Sequence, residues 1–162
     1  MSVWQPVYSG VGSNVDDPIA QVRRALSKLA ALAATRVICV SPLYGSRPFG
    51  PVAQPDFVNA VAGALTQLDS RKLLAELQAL ERSLGRPASH EKWGPRVIDL
   101  DLLIYGRECA FGGSLVLPHP GIAERNFVLR PLADIAPDLD VPGLGRVAEL
   151  AARASAADIW PL

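Results

Sequence analysis

The chain has 162 residues, 49% apolar and 20% charged, the composition of a globular domain large enough to bury its own core. Sixteen basic residues balance 16 acidic ones, so no net field draws the chain to nucleic acid or to an anionic membrane. No apolar run is long enough for a membrane span and the N-terminus has no secretory pattern, so a cytoplasmic protein is expected, and no linker or repeat divides residues 1–162 into more than one domain.

In chain order, residues 3–11 read as a strand, broken by Gly12-Ser13-Asn14, a turn that can bind phosphate where a helix follows it. Asp17 is placed to N-cap that helix, with Pro18 at its first position. Ile19, Val22, Leu26, Leu29 and Ala33 follow at helical spacing as its apolar stripe. Residues 35–44 predict a second strand. It carries Cys39 in the apolar run RVICV, where a buried reduced thiol is the default, and Cys39 and Cys109 lack metal-ligand spacing.

Next comes GSRPFGPVAQP at 45–55, a stretch with three Pro and two Gly. A loop of this length in a compact domain is usually functional, and its Pro content suggests a shaped one, with Phe49 able to close over a ligand. Residues 56–68 return to strand character. Phe57, Asn59, Val61 and Gly63 share one face there. Asn is disfavoured in strands, so Asn59 either meets solvent or makes specific hydrogen bonds, and its amide both donates and accepts.

Residues 70–84 predict a helix with Leu73, Leu77, Leu80 and Leu84 as its stripe and Gly85 as its C-terminal stop. Gln78 and Glu81 are neighbours on its surface. Residues 86–92 form a polar loop that brings Arg86, His90, Glu91 and Lys92. It leads into WGPRVIDLDLLIYG at 93–106, the densest concentration of chemistry in the chain. Its β-branched and aromatic content says strand, so Asp99 and Asp101 point to one side, roughly 7 Å apart at their bases. Such a pair is either solvated on a half-exposed strand or, if buried, needs a neutraliser, and Mg²⁺ takes one or two carboxylates with substrate phosphates. Trp93 adds a flat apolar face and Arg96 a cation, a combination that suits a nucleotide held with metal.

Residues 114–117 predict a short strand, and Pro118-His119-Pro120 a rigid extended segment. Residues 127–135 and 147–154 read as short helices. The order β-α-β-β-α-β, with a hairpin in residues 36–68, fits an α+β fold: a ferredoxin-like α/β sandwich with a mainly antiparallel sheet and packed helices.

The runs DFVNA at 56–60, WGPRVIDLDLLIYG at 93–106 and LPHP at 117–120, followed by Arg125 and Phe127, resemble the 6-hydroxymethyl-7,8-dihydropterin pyrophosphokinases of folate biosynthesis. The resemblance extends from about Val7 to Leu139. It implies transfer of pyrophosphate from ATP, as co-substrate, to the pterin hydroxymethyl group. It further implies two Mg²⁺ ions on Asp99 and Asp101, and phosphate contacts from Arg86 and Arg96, which with the two acids form the catalytic set. Gln78, Glu81, Leu102, His119 and Arg125 would line the ATP site, with Trp93 at its border. Ser46, Phe49, Phe57, Asn59, Trp93 and Phe127 would form the pterin site. The sequence departs from the family pattern at Ala88, where many members carry a second loop Arg, at Ser114, where some carry Arg, at Phe57, where Tyr is common, and at Ser46, where Thr is common. ATP and the dihydropterin are the expected partners of a monomer, with loops 45–55 and 87–92 expected to close over them.

Overall fold

The computed structural model describes residues 3–48, 50–87 and 94–162. Its centre is an antiparallel sheet built on two long strands, β1 (Gln5–Ser13) and β4 (Phe57–Thr66). β5 (Asp99–Tyr105) pairs with the outer side of β1. On the other side of β4 run β2 (Thr35–Val40) and β3 (Tyr44–Ser46), each paired with a different part of it. β10 (Ile159–Pro161) extends the sheet beyond β3. Two small hairpins lie apart from it: β6 (Ala110–Gly112) with β7 (Leu115–Leu117), and β8 (Asp140–Val141) with β9 (Gly145–Arg146).

Helices cover both faces, which completes the ferredoxin-like α+β sandwich. α1 (Pro18–Ala30) and α2 (Ser70–Ser83) pack on one face, against Val7, Val11, Val58, Ala60, Leu100 and Leu102. α3 (Asn126–Ile135) and α4 (Val147–Arg153) pack on the other, where Val61, Leu103 and Ile104 meet Val128, Leu129 and Leu132. A strand covered on both faces reads as a near-continuous apolar run. Accordingly β4 is buried almost throughout, and its Ala60, Ala62 and Ala64 allow α1 to approach closely.

Several elements differ from the sequence expectation, each for a tertiary reason. Gly12 and Ser13 are strand rather than turn, because they pair with Asn59 and Val58 of β4. α1 ends at Ala30 with Asp17 as its N-cap, and its buried side is Gln21, Val22, Ala25 and Leu29; Ile19 and Ala33 are exposed. The predicted strand 35–44 breaks at Ser41-Pro42. Ser41 Oγ accepts from Val61 N–H at 2.9 Å and its own N–H donates to Val61 O at 2.9 Å. Pro42 brings no N–H to continue the ladder, and the chain resumes as β3, so Gly45 and Ser46 belong to a strand and not to the predicted loop. Cys39 is half-buried rather than buried, because the β2–β4 register shifts between Val37 and Cys39.

Candidate active site

The register of the sheet brings the site together. Across β4, β1 and β5, Asn59 lies opposite Gly12, which lies opposite Asp99; one step along, Val61, Gly10 and Asp101 form the next row. Directly paired residues share a face. Asn59 and the two acids therefore project on the α3 side with only glycines between them. Neighbouring strands are about 4.8 Å apart, so the floor between Asn59 and Asp99 is roughly 10 Å wide. A Cβ on Gly12 would come within 3.1 Å of Asn59 Oδ1, so glycine there leaves room for the amide.

Two clefts open from this floor. One, of about 250 Å³, is lined by Ser46, Phe57, Asn59 and Phe127 over Gly10 and Gly12. The other, of about 710 Å³, runs between α2 and the 114–120 segment and is lined by Gln78, Glu81, Arg86, Leu102 and His119. Arg96, Asp99, Asp101 and Arg125 line both, so the two acids and two arginines stand where the clefts meet.

Each of these groups is positioned by a specific contact. Asn59 Nδ2 donates to Ser46 Oγ at 2.7 Å, tying β4 to β3. Arg96 is held by its backbone: its N–H donates to Asn14 Oδ1 at 2.8 Å, and its carbonyl accepts from Asn14 N–H at 3.1 Å. The Asn14 side-chain amide also donates to Gln54 Oε1 and Pro55 O, both at 2.8 Å. The buried Asn14 is thus spent on joining the 54–55 segment to Arg96 rather than presented to a phosphate. Arg125 lies over Gly121, where a Cβ would come within 2.6 Å of its Nε, and its guanidinium carbon is 5.8 Å from the Phe127 ring centre.

The carboxylates are crowded. Glu81 accepts through Oε2 from Leu100 N–H at 2.8 Å and from Arg86 Nη1, which also donates to Asp99 Oδ1 at 2.8 Å. Arg86 therefore bridges a carboxylate of α2 to one of β5. Burial pushes the Glu81 carboxyl up to about 7, against the opposing pull of its Leu100 hydrogen bond. Burial, and next the charge of Asp99, likewise push Asp101 up to about 7. Asp101 makes no hydrogen bond or ion pair among the described residues. His119 is pushed down by burial and then by Arg125. Its Nδ1 accepts from Gly121 N–H at 3.0 Å, so the neutral ring carries its proton on Nε2.

The structure brings together every described residue proposed from sequence: Ser46, Phe57, Asn59 and Phe127 in one cleft, Gln78, Glu81, Arg86, Leu102 and His119 in the other, and Arg96, Asp99, Asp101 and Arg125 at the junction. Phe49 and residues 88–93, among them Trp93, lie outside the described residues. Sequence reasoning missed Gly10 and Gly12 as the floor and Asn14 as the anchor of Arg96. The available signal was the G-x-G alternation in β1, which leaves one strand face bare.

Comparison with known proteins bears on this geometry. A family model described as 7,8-dihydro-6-hydroxymethylpterin-pyrophosphokinase (HPPK) matches residues 8–137. The chain is similar to the 2-amino-4-hydroxy-6-hydroxymethyldihydropteridine pyrophosphokinase of Pseudomonas aeruginosa, 45% identical over 148 residues, 91% of each chain. It is also similar to the protein of that name from Haemophilus influenzae, 42% identical over 143 residues, 88% of this chain and 89% of the relative. Among solved structures, a doubly substituted variant of Plasmodium falciparum HPPK-DHPS with pterin and p-hydroxybenzoate aligns with a TM-score of 0.74 at 12% identity, over 93% of this chain and 43% of that one, a likeness of fold. The matched segment 8–137 includes the glycine floor, both acids and the arginines at the junction, and the chain belongs to the HPPK family.

Proposed function

We infer that the chain transfers pyrophosphate from ATP to the hydroxymethyl group of 6-hydroxymethyl-7,8-dihydropterin in folate biosynthesis. The hydroxymethyl oxygen bonds to the β-phosphorus and gives up its proton to solvent, the bond from that phosphorus to the α–β bridging oxygen breaks, and AMP leaves with that oxygen. The observation that carries this reading is the pair of chemically different clefts sharing Arg96, Asp99, Asp101 and Arg125. One has aromatic rings and an amide suited to a flat polar heterocycle; the other has the charged lining suited to a triphosphate.

In this reading Phe57 and Phe127 pack on the pterin and Asn59 pairs with its amide edge, where an apolar residue would leave polar groups without partners. Phe49 and Trp93 complete that site. Gln78, Glu81, Leu102 and His119 border the nucleotide, with His119 offering its Nε2–H as a donor. Arg96 and Arg125 face both clefts and supply fixed positive charge where charge shifts during transfer. Arg86 acts in part through Asp99, which it holds by one oxygen.

The donor set fits Mg²⁺. Asp99 and Asp101 share one strand face, and no cluster of three or more His, Cys, Asp or Glu able to hold a metal is found among the described residues. Such a pair leaves most of a Mg²⁺ shell to phosphate oxygens and water, which is how this ion is usually held. Two ions are assigned to these acids. When bound they neutralise phosphate charge and orient its oxygens. The protein's own task is alignment and water exclusion, since an open site would hydrolyse ATP instead.

The whole chain is proposed to act as one pyrophosphokinase domain, monomeric and cytoplasmic; no helix of the described residues is long and apolar enough to cross a membrane. The test is incubation with ATP, Mg²⁺ and hydroxymethyl-dihydropterin, followed by nucleotide analysis. AMP that forms only with all three supports the reading. ADP, or AMP formed without the pterin, refutes it.

A further inference from the structure

We propose that the segment 155–162, with Trp160 at its centre, is a positioning element for the dihydropterin cleft, an inference that rests on the pyrophosphokinase reading above. This segment lies outside the 8–137 stretch matched by the family model, and none of its residues lines either cleft. It is nevertheless fastened to both walls of the smaller one.

The first wall is β3, which carries Ser46. β10 pairs with β3 along its full length, Ile159 opposite Ser46, Trp160 opposite Gly45 and Pro161 opposite Tyr44. Flanking hydrogen bonds close the pairing at each end, Arg47 N–H to Asp158 O at 3.0 Å and Leu162 N–H to Leu43 O at 3.1 Å. The Trp160 indole lies against Gly45 so closely that a Cβ there would sit 2.3 Å from its Nε1. Because side chains alternate along a strand, this ring supports β3 from the face opposite Ser46.

The second wall is the start of α3, which carries Phe127. The neighbouring Asn126 donates through Nδ2 to Ser155 O and to Ala157 O, both at 2.8 Å. A single stretch of chain thus spans from the base of Phe127 to the back of Ser46, the residue that holds Asn59 at 2.7 Å. β3 is only three residues long, and its other neighbour is β4. Without β10 it would be an edge strand free to shift, and Ser46 would no longer fix the Asn59 amide. Trp160 touches no substrate in this arrangement; it acts through Gly45 and Ser46.

The experiment compares steady-state kinetics of the full chain with Trp160→Ala, Gly45→Ala and Trp160→Phe. Gly45→Ala keeps the indole but forces it off the strand. The Ala variants are expected to raise KM for the dihydropterin about 10-fold, the scale of one misplaced hydrogen bond, with KM for ATP within about 2-fold of wild type. Trp160→Phe, which restores a flat ring, should recover most of the loss. Unchanged pterin KM in folded Trp160→Ala and Gly45→Ala would overturn the proposal. So would an equal rise in both KM values, or loss of folding in every variant, since either marks a merely structural role. If wild type forms no AMP, the pyrophosphokinase reading fails by itself. The positioning claim is then read from calorimetric binding of the dihydropterin to the same proteins, where equal affinities overturn it.

Discussion

Glu81 offers a quantitative test of how the site is built. It is 6% exposed, and its Oε2 receives both the Leu100 N–H and the Arg86 guanidinium. Burial raises its pKa from 4.5 to about 7. At 1.36 kcal/mol per unit this shift corresponds to about 3 kcal/mol of pH-dependent stability. The folded-state value lies above the unfolded one, so the contribution is complete below about pH 4.5 and is lost as pH rises through about 7. Asp101, raised to about 7 as well, titrates in the same window. The metal-free, ligand-free chain should therefore lose stability between pH 5 and pH 8. Glu81→Gln removes one of the two titrating groups and keeps an oxygen for Leu100 N–H, so its loss over that range should be smaller. Glu81→Ala leaves the buried Leu100 N–H without its acceptor and should be less stable than Glu81→Gln by about 1–3 kcal/mol at each pH. Urea denaturation in chelator at pH 5, 6.5 and 8 measures all three proteins. A wild type whose stability is flat across this range, or a Gln variant with an undiminished slope, would refute the assignment of Glu81 as a strained, buried acid.

Other substitutions separate the roles of the remaining groups. Asp99→Ala or Asp101→Ala should abolish AMP formation; thermal unfolding should stay unchanged or rise in Asp101→Ala, where repulsion between the acids is relieved, whereas Asp99→Ala also costs Arg86 one of its two carboxylate partners. Retained turnover in both at ordinary Mg²⁺ would sink the metal assignment. Arg96→Ala should lower kcat by roughly 10²-fold, as for loss of a single electrostatic donor, with circular dichroism reporting an intact fold, and an effect confined to KM would count against that role. Gly12→Ala places a methyl 3.1 Å from Asn59 Oδ1 and should weaken dihydropterin binding about 10-fold with ATP binding unaltered; calorimetry with each ligand in turn decides, and equal losses for both would mean that the floor is not specific to the pterin.

The acids were legible because their signal is local: two Asp at period two in an apolar run can only share a face, and β5 puts them there. Asn59 was legible for a similar reason, as a polar residue between Val58 and Ala60 in a strand that is otherwise apolar up to Leu65. The glycine floor was not, because Gly10 and Gly12 acquire meaning only from strands far away in sequence that flank them in the sheet. Asn14 is a comparable case: its partner, the Arg96 backbone, is 82 residues distant, and nothing in Gly-Ser-Asn distinguishes an anchor from a turn. Ile19 fitted a helical stripe yet is exposed, because tertiary packing chose Val22, Ala25 and Leu29 as the buried side of α1. β10 left little trace in sequence, since Ile159-Trp160-Pro161 is too short to show a period.

The arrangement of β5 explains how a repulsive pair of acids is kept in place. Asp99 and Asp101 alternate with Leu100 and Leu102, which are 3% and 4% exposed in the core beneath α1 and α2. Each buried leucine contributes about 1.5–3 kcal/mol, so the apolar side of the strand offsets the electrostatic cost on the other side. A register slip of one residue would exchange the faces, placing both carboxylates in that core and both leucines over the glycine floor. The register shift in the β1–β5 pairing lies at Leu103, between the pairs Ser9–Leu102 and Tyr8–Ile104. Beyond it Ile104 joins Leu103 in the core under α3, while the acids keep their rows opposite Gly10 and Gly12. The irregularity thus falls after the acids and not between them, so one strand can present carboxylates over a bare floor at one end and close an apolar core at the other.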